Sequence, residues 1–207
     1  LDYKMVNQKA VRQYFEEQLE RCGVTFFDVY LLHWLNHDNY QICEKYNEFA
    51  FLRELKAAGK AKKIGFSYHD NAALLDTILT DHPEVDIVQL QINYLDWDSA
   101  AIEAGNCYRV AEKHGKSVVV MEPVKGGTLA KLPPEAEAIF REIHPDQSMA
   151  SWALRFVQSL PQVEVVLSGM NTMQQLLDNL QDVSPLNAEE QAAVQRASAI
   201  ITAQTAI

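Results

Sequence analysis

The chain predicts an α/β fold built on a parallel sheet, and two observations carry that prediction. Residues 26–34, Phe26-Phe27-Asp28-Val29-Tyr30-Leu31-Leu32-His33-Trp34, form an almost continuous apolar run that ends on a histidine. Such a run reads as a strand buried on both faces, with an imidazole where the strand gives out. The pattern then recurs along the chain, with helical stretches in between. Alternating strand and helix implies parallel strands joined by right-handed crossovers, with ligands at the carboxyl ends of the strands.

The further strands are expected at 62–67, 86–94, 117–123 and 163–169, each rich in β-branched or aromatic residues and each ending on a hydrogen-bonding group. The first helix is expected to start with Asn7 as cap and to run to about Cys22, where Gly23 supplies a left-handed stop. Val11, Phe15 and Leu19 give it one core-facing stripe, and Glu16, Glu17, Glu20 and Arg21 a solvated face. Further helices are expected at 48–58 before Gly59, at 71–80, and at 99–114 before Gly115. Leu132-Pro133-Pro134 marks a loop followed by a short helix, and another helix covers 147–159 before Leu160-Pro161. A helix at 172–180 follows the fifth strand, and a last one starts near Asn187-Ala188-Glu189-Glu190.

With 207 residues, 48% of them hydrophobic, and no internal linker, the chain is expected to be one domain, 1–207. No apolar window approaches the roughly 18 residues of a membrane span. Leu1-Asp2-Tyr3-Lys4 offers neither an initiator methionine nor a signal-peptide core, so a partial sequence is expected. Cys22, Cys43 and Cys107 have no metal-ligand spacing and suit a reduced, cytoplasmic protein. A formal charge of −10 argues against broad nucleic-acid binding.

A doubly wound dinucleotide fold would show Gly-x-Gly-x-x-Gly after an early strand, and neither that nor a P-loop occurs here. A (β/α)8 barrel is preferred, although a full one takes about 250 residues and the chain reads as three units short. The strand ends collect His33 with Trp34, Ser67 with Tyr68 and His69, and Gln89, Gln91, Asn93 and Tyr94. To these are added Glu122 with Lys125-Gly126-Gly127, and Ser168-Gly169-Met170-Asn171-Thr172. Two-carboxylate hydrolysis would need an acid facing Glu122, for which only Asp96 and Asp98 stand near. His33 and His37 lack a third metal ligand and straddle a strand end and a loop. Neutral amides and hydroxyls suit a carboxamide, and the helix after the fifth strand would offer free backbone N–H groups to a phosphate. Together they suggest a nicotinamide dinucleotide.

At this point the sequence resembles the aldo-keto reductase family, from near residue 7 to about residue 183. Glu17-Gln18-Leu19-Glu20-Arg21-Cys22-Gly23 and Asp28-Val29-Tyr30-Leu31-Leu32-His33-Trp34 resemble its helix and fourth strand, and Ile64-Gly65-Phe66-Ser67 its fifth strand. Val166-Leu167-Ser168-Gly169-Met170 with Gln175-Leu176-Leu177-Asp178-Asn179-Leu180 resembles its eighth strand and the helix that follows. Val120-Met121-Glu122-Pro123-Val124-Lys125-Gly126-Gly127-Thr128-Leu129 looks like the branch that often carries an iron–sulfur domain after the barrel; that domain is not expected within these 207 residues.

The resemblance implies strands four to eight of a (β/α)8 barrel and interconversion of a small-molecule aldehyde or ketone with its alcohol. NADP(H) is implied ahead of NAD(H), with no metal. Of the family's Asp-Tyr-Lys-His tetrad only the histidine has a counterpart, His33, which would hydrogen-bond the substrate carbonyl. Ser67 and Gln89 match residues that hold the nicotinamide carboxamide, with Gln91 as the other register. Tyr68 stands where many members have asparagine, and Met121 where many stack an aromatic on the nicotinamide. Gly169, Met170, Asn171, Thr172, Gln175 and Asn179 match the surroundings of the adenosine phosphate, Gln175 replacing an arginine. Lys4 follows no apolar strand and is not matched to the lysine. The chain is therefore expected to be inactive alone, and to self-associate through the strand edges near 28–32 and 163–167. A non-catalytic nicotinamide-binding protein on the same scaffold is the alternative, followed by a barrel hydrolase using Glu122.

Overall fold

The computed structural model describes residues 8–205, and side chains for 11–204. Asn7 and Lys4 lie outside the described residues. Five strands, β1 (Phe27–Leu35), β2 (Ala61–Tyr68), β3 (Ile87–Gln91), β4 (Ser117–Met121) and β5 (Val163–Val166), form one sheet in chain order. The β1–β2 and β2–β3 pairings are parallel, as strand–helix alternation requires. The fold is α/β, of (β/α)8-barrel type.

Two compact units divide the chain. One comprises Leu1–Leu90 with Cys107–Val118, the other Gln91–Asn106 with Val119–Ile207.

In the first unit, α1 (Gln8–Cys22) presents Val11, Phe15 and Leu19, all at most 5% exposed, as the core stripe. Phe15 meets Phe27 and Tyr30 of β1 edge-on at 5.8 and 4.9 Å, fastening helix to strand. Gly23 then takes φ 65°, the left-handed stop that a side chain would resist. Strand β1 is not buried on both faces. Tyr30, Leu32 and Leu35 are buried, whereas Asp28, Val29, His33 and Trp34 are exposed. Among the described residues β1 is an edge strand, with β2 as its one neighbour in the sheet.

The polar stretch after β1 forms a helix, α2 (His37–Tyr46), where a loop is expected from the sequence. Asn36 caps it by accepting the Asn39 N–H. Asn47, at φ 58°, turns directly into α3 (Glu48–Ala57). Gly65 in β2 has a steric reason: a Cβ there would stand 1.8 Å from the Ile87 carbonyl oxygen of β3. Helix α4 (Ala72–Asp81) begins at the Asn71 cap, whose side chain accepts the Leu74 N–H. Helix α5 (Ala104–Lys113) starts later than 99 because Gly105 N–H bonds Trp97 O and Ser99 N–H bonds Asp96 O, fixing turns before it. Strand β3 likewise stops at Gln91, since Asn93 turns the chain by accepting the Asp96 N–H.

The second unit is packed around Trp152, Phe140, Leu129 and Ala193, with Phe140 and Trp152 stacked at 4.5 Å. These side chains come from α6 (Pro134–Ile143), α7 (Met149–Gln158), α9 (Ala188–Thr205) and a 3-10 turn, Thr128–Ala130. Arg155 and Glu190 form a buried ion pair at 2.8 Å, and Arg155 Nε also donates to Ser184 O. Helix α8 (Met173–Asn179) follows β5, which ends at Val166.

Candidate active site

His33 lies in a β-bulge at the carboxyl end of β1. Leu32 pairs with Phe66 and Leu35 with Tyr68, so three steps on β1 face two on β2. Trp34 absorbs the extra residue at φ 58°, and its N–H donates to Ser67 Oγ at 2.6 Å. A bulge re-aims the side chains beside it, and His33 emerges exposed. Ser67 itself is 4% exposed and pairs in register with Gln89 of β3. Because Ser67 Oγ accepts from Trp34, its own O–H proton remains for donation elsewhere. The structure thus places His33 and Ser67 near the carboxyl ends of β1 and β2, with Gln89, in the middle of β3, in register with Ser67.

His69 also stands here. Its ring meets Trp34 edge-on at 6.0 Å, and burial, with His33 nearby, pushes its imidazole below the ordinary value. Tyr68 is not brought to this group. Strand alternation turns it to the face opposite Ser67, where it is buried against Phe66 and its hydroxyl donates to Asn71 O at 2.6 Å. Gln91 is engaged elsewhere, donating to Asp96 at 3.1 Å. Tyr30 and Tyr94 pack in the cores, and burial pushes both phenols up.

Within the second unit, Met121 closes β4, and its carbonyl accepts the Ile92 N–H. A turn follows in which Glu122, Lys125, Gly126 and Gly127 all take positive φ. Asp96, 4% exposed, accepts from Asn93 at 2.8 Å and from Lys125 at 2.5 Å. Burial alone would raise its carboxyl, but the hydrogen bonds from Lys125, Asn93 and Gln91 outweigh it and hold it below the carboxylate range. Asp96 is therefore an ionised anchor, not an acid available to work against Glu122. The Asn93-x-x-Asp96 spacing of an Asx turn was the sequence signal for this cluster.

Gly169, Met170, Asn171, Thr172 and Gln175 are exposed around the start of α8, with Asn179 half-buried and donating to Ser168 Oγ at 2.8 Å. Some of the N–H groups at this helix start are engaged by the chain itself. Gln175 Oε1 accepts from Asn171 N and Thr172 N at 2.9 and 3.2 Å, and Gln175 N donates to Thr172 Oγ1 at 3.2 Å. This is a closed capping box. His37 opens α2 rather than lying in a loop. Among the described residues no group of three or more His, Cys, Asp or Glu is placed to hold a metal ion, and no helix is long and apolar enough to cross a membrane.

Comparison with known proteins agrees with this architecture. The NADH-specific methylglyoxal reductase of Escherichia coli (strain K12) is 28% identical over 129 residues, 61% of this chain but 37% of that enzyme's length. The holo form of an aldo-keto reductase from Bacillus halodurans superposes with TM-score 0.71 at 22% identity, covering 93% of this chain and 68% of the other. An aldo-keto reductase from Klebsiella pneumoniae, solved with NADP and acetate, gives TM-score 0.66 at 20% identity, covering 92% and 65%. Residues 4–199 match the Aldo/keto reductase family along nearly the whole chain. The chain belongs to the aldo/keto reductase family.

Proposed function

We propose that this chain is the cofactor- and carbonyl-handling part of a nicotinamide-dependent reductase of small aldehydes or ketones. The observation that carries the reading is the pinned bulge: Ser67 Oγ fixes Trp34 N–H, and with it the position from which His33 projects. Ser67 and Gln89 would hold the nicotinamide carboxamide, and they fit it chemically, because Ser67 keeps a proton to donate. The bound cofactor would supply hydride. His33 would hydrogen-bond the carbonyl oxygen, orienting it and stabilising the charge that develops there, a contribution of about 3 kcal/mol for a well-placed donor. Met121 is assigned the ring face of the nicotinamide. In the other unit, the segment from Gly169 to Asn179 is assigned the adenosine end.

For that end the proposal puts NAD(H) ahead of NADP(H), reversing the order that the resemblance implies. No lysine or arginine occurs between Arg155 and Arg196, and Gln175 is folded into the capping box, so a 2′-phosphate would meet no cation from this segment. The relative named an NADH-specific enzyme supports the same order. Its methylglyoxal substrate makes an α-oxoaldehyde the first substrate to try. The test pairs NADH titration with a methylglyoxal reduction assay on the 207-residue chain. Saturable NADH binding with turnover at background is expected, because no residue here is matched to the family's proton donor. Robust turnover would overturn the claim of inactivity, and absence of binding would overturn the cofactor reading.

A further inference from the structure

Within the second unit, the turn that leaves β4 holds two residues in a backbone conformation that side chains resist. Glu122 stands at φ 57° and Lys125 at φ 51°, the latter ahead of two glycines that adopt such angles freely. The turn runs from Met121, the last residue of β4, to Leu129, which is fully buried in the core of the unit. A non-glycine residue in the left-handed region persists only where its surroundings impose it. Each of these two has such a partner, and both partners come from one short turn after β3. Asn93, fully buried, donates through Nδ2 to the Glu122 carbonyl at 3.2 Å. Asp96 accepts the Lys125 ammonium on Oδ1 at 2.5 Å, while its Oδ2 accepts from Asn93 and Gln91 at 2.8 and 3.1 Å. The Asp96 N–H donates in turn to Asn93 Oδ1 at 2.9 Å, closing that turn on itself. A buried carboxylate held by three donors is a fixed point, and its bond to an ammonium is stronger than a neutral one.

We propose that Asp96 is a positioning residue for the nicotinamide: through Lys125, and with Asn93 on Glu122, it sets the left-handed turn that fixes where the end of β4 presents Met121. This role rests on the reading that gives Met121 the ring face of the nicotinamide. Asp96 itself is enclosed by its three donors and acts on the cofactor through the turn. The adenosine end is assigned to residues 169–179 instead, so the two ends of the dinucleotide should respond differently when Asp96 is changed.

The experiment titrates NADH, and ADP-ribose, which lacks the nicotinamide, into the chain and its Asp96→Asn variant by calorimetry, recording the emission of bound NADH in parallel. Asp96→Asn keeps the size of the side chain and removes its charge. NADH affinity is expected to fall about tenfold, the scale of one charge-assisted hydrogen bond, with ADP-ribose affinity unchanged. The emission of bound NADH should shift toward that of the free cofactor. Lys125→Met, which leaves Asn93 and Gln91 on Asp96, should do the same, and it carries the test if Asp96→Asn fails to fold. Equal losses for the two ligands would mean a general loosening, and unchanged NADH binding would mean that the turn holds without Asp96; either result overturns the positioning role. A wild-type chain that binds neither ligand would overturn the cofactor reading and the positioning role with it.

Discussion

At the scale of single residues, Ser67 Oγ accepts from Trp34 N–H at the bulge, and its own proton would be available for the carboxamide under the proposed function. Ser67→Ala removes the acceptor and leaves a half-buried N–H unpaired, costing about 1 kcal/mol or somewhat more. The expected outcome is a lower urea midpoint together with weaker NADH binding; an unchanged midpoint would show that the bulge does not depend on this bond. The histidine that this bulge projects was legible in the sequence, because it terminates an apolar run. Its environment was not. A bulge is a mismatch of register between two strands, and Trp34 carries no composition signal for a left-handed backbone. Tyr68 shows the same limit from the other side: period-two alternation, not sequence adjacency, decides which neighbours share the face of Ser67.

Among the elements, the core stripe and the end of α1 were readable from Val11, Phe15, Leu19 and Gly23, since an isolated stripe and a glycine stop have no competing interpretation. Helix α2 was hidden because His37–Tyr46 is polar and buries only Cys43, so its formation rests on the Asn36 cap and on packing. At the start of α8, Thr172 and Gln175 have the spacing of a capping box, and that box takes up the Asn171, Thr172 and Gln175 N–H groups while those of Met173 and Gln174 stay outside it. Opening it with a cation gives a direct test of dinucleotide preference. Gln175→Arg frees the two amides and adds a charge, so NADPH affinity should rise about tenfold relative to NADH, the scale of one charge-assisted hydrogen bond. No change in the ratio of the two dissociation constants would remove this segment from the 2′-phosphate question.

For the whole molecule, acid stability follows from buried carboxylates held ionised by partners. Asp96 and Glu190 both have folded-state values below their ordinary ones; burial opposes this, and hydrogen bonds, chiefly from Lys125 and Arg155 respectively, prevail. A depressed carboxyl stabilises the fold fully above its unfolded value, about 4, and the contribution disappears as pH falls through the folded value. Urea midpoints should therefore fall steeply below about pH 4, and Glu190→Gln should flatten that fall while lowering the midpoint at neutral pH. An equally steep fall in the variant would place the acid sensitivity elsewhere. The strand–helix order and the family were legible at this scale because they depend on periodicity and on motifs spread along the chain. The division into two compact units was not, since it depends on which contacts form across distant segments.

The most direct test of the account is an NADH titration, followed by cofactor fluorescence, of the chain beside its Gln89→Ala variant. The account predicts saturable binding that weakens about tenfold when the carboxamide partner is removed. Absence of saturable binding, or identical curves for the two proteins, would contradict it.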